Sequence, residues 1–323
     1  MEKCLFSAPT SFMLEIKKEY NDIVPTIFQE IWHETQLKKD SNLTIWVPNP
    51  GQNFIIGDKI LNLFPNLHTI ITPSTGRNHI DIKACNMRNI RVFSLLDDRQ
   101  GMETISASAE FTFLMILNTL RRLDVAIDEV TSGNWRKNED YMRGHELSGK
   151  KVGLIGLGRI GTKVAKYCTA FEASVSYYDP YKSVTQYIKD SLENIFKNND
   201  IIVICCELNQ ETTGLVNKPL LESMKKNVCL INTARGEIIN ELDLSEIIRE
   251  RSDIRVGLDV IAGEVTNTHY LSPLINLHRS KRITITPHIA GATYESQHKA
   301  AKIVLKLLTR RVKDWDSSKD YSI

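Results

Sequence analysis

KVGLIGLGRIG, residues Lys151 to Gly161, sets Gly156, Gly158 and Gly161 in the pattern Gly-x-Gly-x-x-Gly, directly after an apolar run and at the start of a helical one. The first glycine permits a tight turn, the second lets backbone approach a pyrophosphate, and the third lets the helix pack closely on the strand. The helix N-terminus then offers free N–H groups and the positive end of its dipole to phosphates. Alone, this motif is weak. The next apolar run strengthens it, because it ends in YYDP and places Asp179 18 residues past Gly161. An acid accepting from adenosine ribose hydroxyls belongs at that spacing. The bland alternative is a glycine turn followed by an unrelated surface Asp, and it leaves the order strand, turn, helix, strand, acid to coincidence. An acid here also repels a 2′-phosphate, so the pattern favours NAD over NADP.

Outward from the turn, the pattern is α/β. Apolar runs at Val152–Ile155, Ser174–Tyr178, Ile201–Cys205, Val228–Ile231, Ile254–Leu258 and Ile283–Thr286 alternate with helical stretches such as Ile160–Thr169, Pro219–Met224 and Glu241–Glu250. Six strands with crossover helices fit a doubly wound parallel sheet. Upstream, Leu43–Val47, Leu67–Thr72 and Ile90–Ser94 read as strands, and Ile56–Phe64 and Ile80–Met87 as helices, which makes a second, smaller parallel unit. Ser106 to Val130 reads as one long helix, ended by Ser132-Gly133-Asn134. A last helix from about Tyr294 to Val312 is placed to return to the first unit. The expected division is residues 1–103 plus 293–323 as substrate domain and residues 104–292 as cofactor domain.

Composition narrows the class. The 323 residues are 42% hydrophobic and 25% charged, an ordinary globular balance. A net charge of +2 gives no electrostatic support for nucleic-acid or membrane partners. MEKCLFSAPTSF is soon followed by Glu15, Lys17, Lys18 and Glu19, so no signal-peptide core is expected, and no apolar run reaches transmembrane length. The six cysteines have neither zinc-ligand spacing nor the density of a disulfide framework, so no metal is expected. They read as buried thiols in a reducing, cytoplasmic compartment. Cys205 and Cys206, adjacent on an apolar run, should face opposite sides of a strand.

In an open α/β sheet, ligands bind beyond the carboxyl ends of the strands. After Val228–Ile231 comes Asn232-Thr233-Ala234-Arg235-Gly236-Glu237. After Ile254–Leu258 come Asp259 and Glu264. After Ile283–Thr286 comes Pro287-His288-Ile289-Ala290-Gly291. Separately, each has a plain reading: a surface cation, a solvated acid, a structural histidine. Together they put a cation, two acids and an imidazole on the edge where a nicotinamide would lie. Hydride transfer needs a partner for the proton of the alcohol or carbonyl. Histidine suits this, with an ordinary pKa near about 6.5. A carboxylate on the far ring nitrogen orients such an imidazole and favours its charged form. A guanidinium grips a carboxylate with two parallel hydrogen bonds. A 2-hydroxy or 2-oxo acid fits that set.

These residues resemble the D-isomer-specific 2-hydroxyacid dehydrogenases, a family that includes phosphoglycerate, glycerate, formate and D-lactate dehydrogenases. The resemblance runs from about Thr69 to Ser296. It is carried by GRNHID (Gly76–Asp81), SAEFT (Ser108–Thr112), the glycine turn, NTARGEIINE (Asn232–Glu241), DVIAGE (Asp259–Glu264) and TPHIAGAT (Thr286–Thr293). It implies two Rossmann-like α/β domains, the smaller one flavodoxin-like. It implies Arg235 for the substrate carboxylate, His288 as acid–base and Glu264 as its partner. For NAD it implies Thr112, Thr233, backbone at Arg159 and Ile160, and Asp259 near the nicotinamide carboxamide. It also implies a homodimer through the cofactor domain, with Ser106–Arg143 at the interface.

The chain departs from the family pattern at Val265, where a proline usually follows the catalytic Glu. It departs again at Cys205-Cys206-Glu207-Leu208, where His-x-Pro-Leu is usual. For substrate, the loops Pro48–Asn53 and Ser74–Arg77 should face the cofactor, with Thr75, Gly76 and Arg77 as contacts. Asn49 and Gln52 offer amides suited to hydroxyl or carbonyl groups, and Arg77 is the one cation in the two loops. The expectation is a polar, uncharged or weakly anionic 2-hydroxy acid rather than 3-phosphoglycerate. The alternative on the same scaffold is a non-catalytic NADH sensor, like the corepressors that resemble this family.

Overall fold

A computed structural model describes residues 2–319. The chain divides into two units, one of Met1–Ile105, Val265–Asn267 and Ala292–Ile323, the other of Ser106–Glu264 and Thr268–Gly291. Both are α/β.

The first unit holds a five-stranded parallel sheet of β1 (Cys4–Phe6), β2 (Thr26–Phe28), β3 (Ile45–Val47), β4 (Thr69–Ile71) and β5 (Arg91–Phe93), in the spatial order β2-β1-β3-β4-β5. This is the flavodoxin-like order. Strands β3 to β5 lie inside the runs that the sequence marks. Strands β1 and β2 do not stand out in the sequence, since three residues are too few to show a period. Pairing with the neighbouring strands makes them strands. One sheet face packs under the helices Leu14–Ile23 and Tyr294–Lys319, where buried Tyr20 donates its hydroxyl to the Ala301 carbonyl at 2.8 Å. The other face is built around fully buried Trp46.

The second unit holds seven parallel strands: β6 (Lys151–Ile155), β7 (Ser174–Tyr178), β8 (Ile188–Lys189), β9 (Ile201–Ile204), β10 (Cys229–Asn232), β11 (Arg255–Leu258) and β12 (Thr284–Ile285). Their order is β12-β11-β10-β9-β6-β7-β8, so the chain reverses direction across the sheet at β6. That is the doubly wound arrangement, and its ligand crevice opens at the end of β6. Both faces are covered, as the continuous apolar runs require. Ile201, Val203 and Cys205 belong to one core, and Ile202, Ile204 and Cys206 to the other. The two cysteines do face opposite sides, although the strand itself ends at Ile204. Both are half-buried rather than fully buried. Burial lifts Cys206 to about 11 and Cys168 and Cys229 to about 12, so these thiols stay protonated at neutral pH. The seventh strand, β8, is a two-residue edge strand with no sequence signature.

The expected single helix over Ser106–Val130 is two helices, Ala107–Arg121 and Leu123–Thr131, joined at Arg122 in the left-handed conformation (φ 52°). The break has an identifiable cause. The Leu120 carbonyl accepts from the His145 N–H at 3.0 Å and from Arg255 Nη1 at 2.8 Å, donors that displace the helical partner. Arg122 then lies over the Tyr141 ring. Seven residues of the first helix are buried, but only Val125 of the second. The second therefore leaves Leu123, Ile127 and Val130 exposed.

Candidate active site

Each glycine of the turn has a separate steric reason. Gly156 sits at φ 93°, and a Cβ there would come within 2.7 Å of the Cys206 backbone nitrogen. A Cβ on Gly161 would lie 2.3 Å from the Gly156 carbonyl oxygen. A Cβ on Gly158 would meet nothing within 4 Å. The second glycine is therefore bare for the sake of space outside the protein, a cradle that a side chain would fill. It caps the helix Arg159–Ala170, whose first N–H groups point the same way. Asp179 follows β7 and lies at the same place. Its Oδ2 accepts from the Leu157 N–H at 2.9 Å, and its Oδ1 accepts from the Tyr181 and Lys182 N–H groups at 2.9 and 3.0 Å. Asp179 thus anchors the glycine turn.

The catalytic candidates come together beyond β10, β11 and β12. Asn232, fully buried, shapes the first loop: its Nδ2 donates to the Arg235 carbonyl at 2.8 Å and its Oδ1 accepts from the Ala234 N–H at 3.0 Å. Gly236 lets this loop press directly on the next, since a Cβ there would lie 2.0 Å from Ile261 C and 2.2 Å from Ala262 N. Burial draws the Arg235 guanidinium pKa down, while the charges of Glu264 and Glu237 oppose that shift. Glu264 Oε1 accepts from the Ile261 N–H at 2.8 Å, and its Oε2 stands 2.5 Å from His288 Nδ1. With Nδ1 committed to the carboxylate, Nε2 is the ring nitrogen left to exchange a proton with a ligand, and His288 is an exposed residue. Glu241 braces the loop from behind, accepting from the Ala262 N–H and the Ser272 hydroxyl at 2.6 Å each. Burial raises its carboxyl pKa, and Glu237 and Glu264 add to the rise. Thr112 and Thr233 also meet, with their hydroxyls 2.6 Å apart; Thr112 donates to the Ser108 carbonyl.

Residues 113–290 match the family described as the D-isomer specific 2-hydroxyacid dehydrogenase, NAD binding domain. The chain belongs to this family. A glyoxylate/hydroxypyruvate reductase of Arabidopsis thaliana is 33% identical over 253 residues, 77% of this chain and 75% of its own length. A glyoxylate reductase of Thermofilum pendens is 34% identical over 261 residues, covering 78% and 74%. The D-lactate dehydrogenase of Aquifex aeolicus, solved with NAD and lactic acid, superposes with a TM-score of 0.81 at 25% identity, covering 97% of this chain and 96% of that one.

In this 2-hydroxyacid dehydrogenase the cofactor is NAD, and the bare cradle at Gly158 with its helix N-terminus suits a pyrophosphate. Among the described residues no group of three His, Cys, Asp or Glu side chains is placed to hold a metal, and no helix is long and apolar enough to cross a membrane. In the first unit, Thr75, Gly76 and Arg77 lie in the loop after β4, where the Ser74 hydroxyl donates to the Gly76 carbonyl at 2.7 Å. The expectation for Asn49 and Gln52 is overturned. Both are buried, and their amides donate to neighbouring backbone: Asn49 donates to the Ile31 carbonyl and accepts from the Gly51 N–H, and Gln52 donates to the Phe54 carbonyl. Residue type marked them as hydrogen-bonding groups but gave no direction. Asn232, Glu237 and Glu241 escaped the sequence reading of roles. Their one signal was polar residues crowded between a strand end and a helix.

Proposed function

We propose that this dehydrogenase interconverts a small polar 2-oxo acid and its D-2-hydroxy acid. In this reading His288 is the acid–base, Glu264 its partner and Arg235 the carboxylate anchor. The observation that carries the reading is the 2.5 Å His288–Glu264 contact, in a loop that Gly236 presses against the Arg235 turn. NADH, when bound, supplies the hydride. Gly156, Gly158 and Gly161, with the backbone of Arg159 and Ile160, hold the pyrophosphate. Asp179 takes the ribose hydroxyls, and Thr233, backed by Thr112, stands at the end of β10. Arg235 binds the carboxylate and polarises the adjacent carbonyl. As C2 gains the hydride, imidazolium Nε2 gives its proton to the carbonyl oxygen, and Glu264 stabilises the charged ring beforehand. The ring recovers its proton from solvent, and oxidation runs the same steps backwards.

Thr75, Gly76 and Arg77 are the proposed substrate contacts of the first unit. With Arg77 the one cation in the two loops, glyoxylate or hydroxypyruvate suits better than 3-phosphoglycerate, in line with the names of the relatives. Exposed Leu114, Leu123, Ile127, Val130 and Trp135, all within Ser106–Arg143, support a homodimer through the second unit. The test is NADH oxidation with glyoxylate, hydroxypyruvate and pyruvate, set against NAD reduction with 3-phosphoglycerate. The expected result is turnover with the oxo acids and D configuration in the lactate formed from pyruvate. Tight NADH binding with no turnover on any of them would overturn the proposal in favour of a sensor.

A further inference from the structure

A cavity of about 350 Å³ opens at the amino ends of β10, β11 and β12, the sheet edge opposite the candidate active site. Its lining comes entirely from the second unit. Four cations line it, Arg122, Arg255, Lys281 and Arg282, against two acids, Asp124 and Asp253. Both acids are engaged: Asp253 pairs with Arg251 at 2.8 Å, and Asp124 accepts from the Thr284 hydroxyl at 2.6 Å. Lys281 pairs with Asp128 at 2.9 Å. Among the described residues the three arginines have no acidic partner. Arg255 donates to the Leu120 carbonyl at 2.8 Å and to the Arg143 carbonyl at 3.4 Å, and Arg282 donates to the Ile248 carbonyl at 2.6 Å. Arg122 lies over the Tyr141 ring, 4.3 Å from its centre. Burial draws the Arg255 guanidinium pKa down, and the charge of Arg122 adds to the fall. Two like charges thus share a partly buried place without a counter-charge, an arrangement that an entering anion relieves.

We propose that this cavity binds a small phosphate ester, with the phosphate on Arg122 and Arg255. Planar guanidinium forks match the oxygens of a phosphate, and Lys281 and Arg282 add to the positive field. The volume lies at the small end of the range for ligand pockets, about 300–1,000 Å³, which leaves room for a few carbons beyond the phosphate. Ser280 and Thr284 in the wall offer hydroxyls to the rest of the molecule. Both anchoring arginines are already held, one by an aromatic ring and the other by carbonyls, so little ordering accompanies binding. The strands separate this cavity from the glycine turn and from Arg235, so it is a second site, distinct from those for cofactor and substrate. The proposal does not depend on the role of His288.

The test is titration calorimetry with glycerol 3-phosphate, at constant ionic strength and with NADH saturating so that the glycine turn is filled. It is run on the protein in its own oligomeric state, because Arg122 and Tyr141 belong to the stretch proposed as the dimer contact. The probe has no carboxylate for Arg235 to grip. The expected result is a Kd near or below about 1 mM, the scale of two charge-assisted contacts. Inorganic phosphate should bind more weakly, and glycerol not at all. Arg122→Asn and Arg255→Met should each weaken the ester at least about tenfold. Asn tolerates the left-handed backbone at position 122, so this variant carries the test if loss of the Arg255 bond to Leu120 prevents folding. Arg235→Gln removes the same charge at the other sheet edge and should leave the Kd unchanged. No binding at about 10 mM ester, a Kd unmoved in both cavity variants, or a loss of binding in Arg235→Gln would each overturn the proposal.

Discussion

Replacing Gly236 by Ala adds one carbon at the point where the Arg235 turn meets the Glu264 loop. The new Cβ would stand 2.0 Å from Ile261 C, 2.2 Å from Ala262 N and 2.4 Å from Ile261 O, where ordinary contact begins at 3.4 Å. Two backbones must therefore part by about 1.4 Å, and neither is the flexible end of a side chain. Overpacking of this kind costs about 1–3 kcal/mol of stability, so Tm should fall but the protein should still fold. The catalytic loss should be larger than the loss of stability. Arg235 lies on one side of the contact, and on the other Ile261 donates to Glu264 and so fixes the carboxylate that holds His288. A shift of about 1 Å in such a constellation costs on the order of a hundredfold. The assay is kcat/KM for glyoxylate with saturating NADH, with NADH affinity measured separately. We expect kcat/KM to fall at least about a hundredfold, with NADH binding nearly unchanged because the glycine turn follows β6 and lies outside this contact. Turnover near the wild-type rate would refute the coupling of the two loops.

Glu264→Gln should lower kcat for oxo-acid reduction by about a hundredfold. NADH affinity should be nearly unchanged, and turnover near the wild-type rate would argue against the pairing. Asp179→Ala should weaken NADH more than NADPH, since the ribose acceptor and the repulsion of a 2′-phosphate go together, while the released Leu157 N–H weakens both. A wild-type preference for NADPH would contradict the assignment. In the first unit, Lys306 Nζ donates to both oxygens of Asp98 at 2.9 Å, and this hydrogen bond holds the Asp98 carboxyl below its usual range. A depressed folded pKa gives stability that is present above the ordinary value of 3.8 and lost as pH falls through the folded one. Lys306→Met should therefore lower Tm by a few degrees at neutral pH, with the difference closing below about pH 4. A Tm difference that does not vary with pH would assign the loss to packing.

The candidate site residues were legible because a parallel sheet makes position meaningful. Arg235, Glu264 and His288 each follow an apolar run, and strand ends in such a sheet share one edge. The glycine turn was legible because bareness, spacing and the following acid are all sequence properties. What escaped were features decided by contact. Strands β1, β2 and β8 are too short to carry a period and exist by pairing. The break at Arg122 depends on His145 and Arg255 reaching the Leu120 carbonyl, donors 25 and 135 residues further on. Asn49 and Gln52 were read outward and face inward, since a side chain's chemistry does not disclose its direction. The hydrogen bonds that tie Asp259 to the stretch from Thr286 to Ala290 are visible only in three dimensions.

His288→Asn tests the central claim most directly. The measurement is single-turnover oxidation of pre-bound NADH by glyoxylate, in wild type and variant, with NADH affinity determined alongside. The account predicts a chemical step slower by at least about a hundredfold with NADH affinity within about twofold of wild type. A variant that binds NADH and oxidises it at the wild-type rate would remove His288 as the acid–base, and with it the reading of Glu264 as its partner.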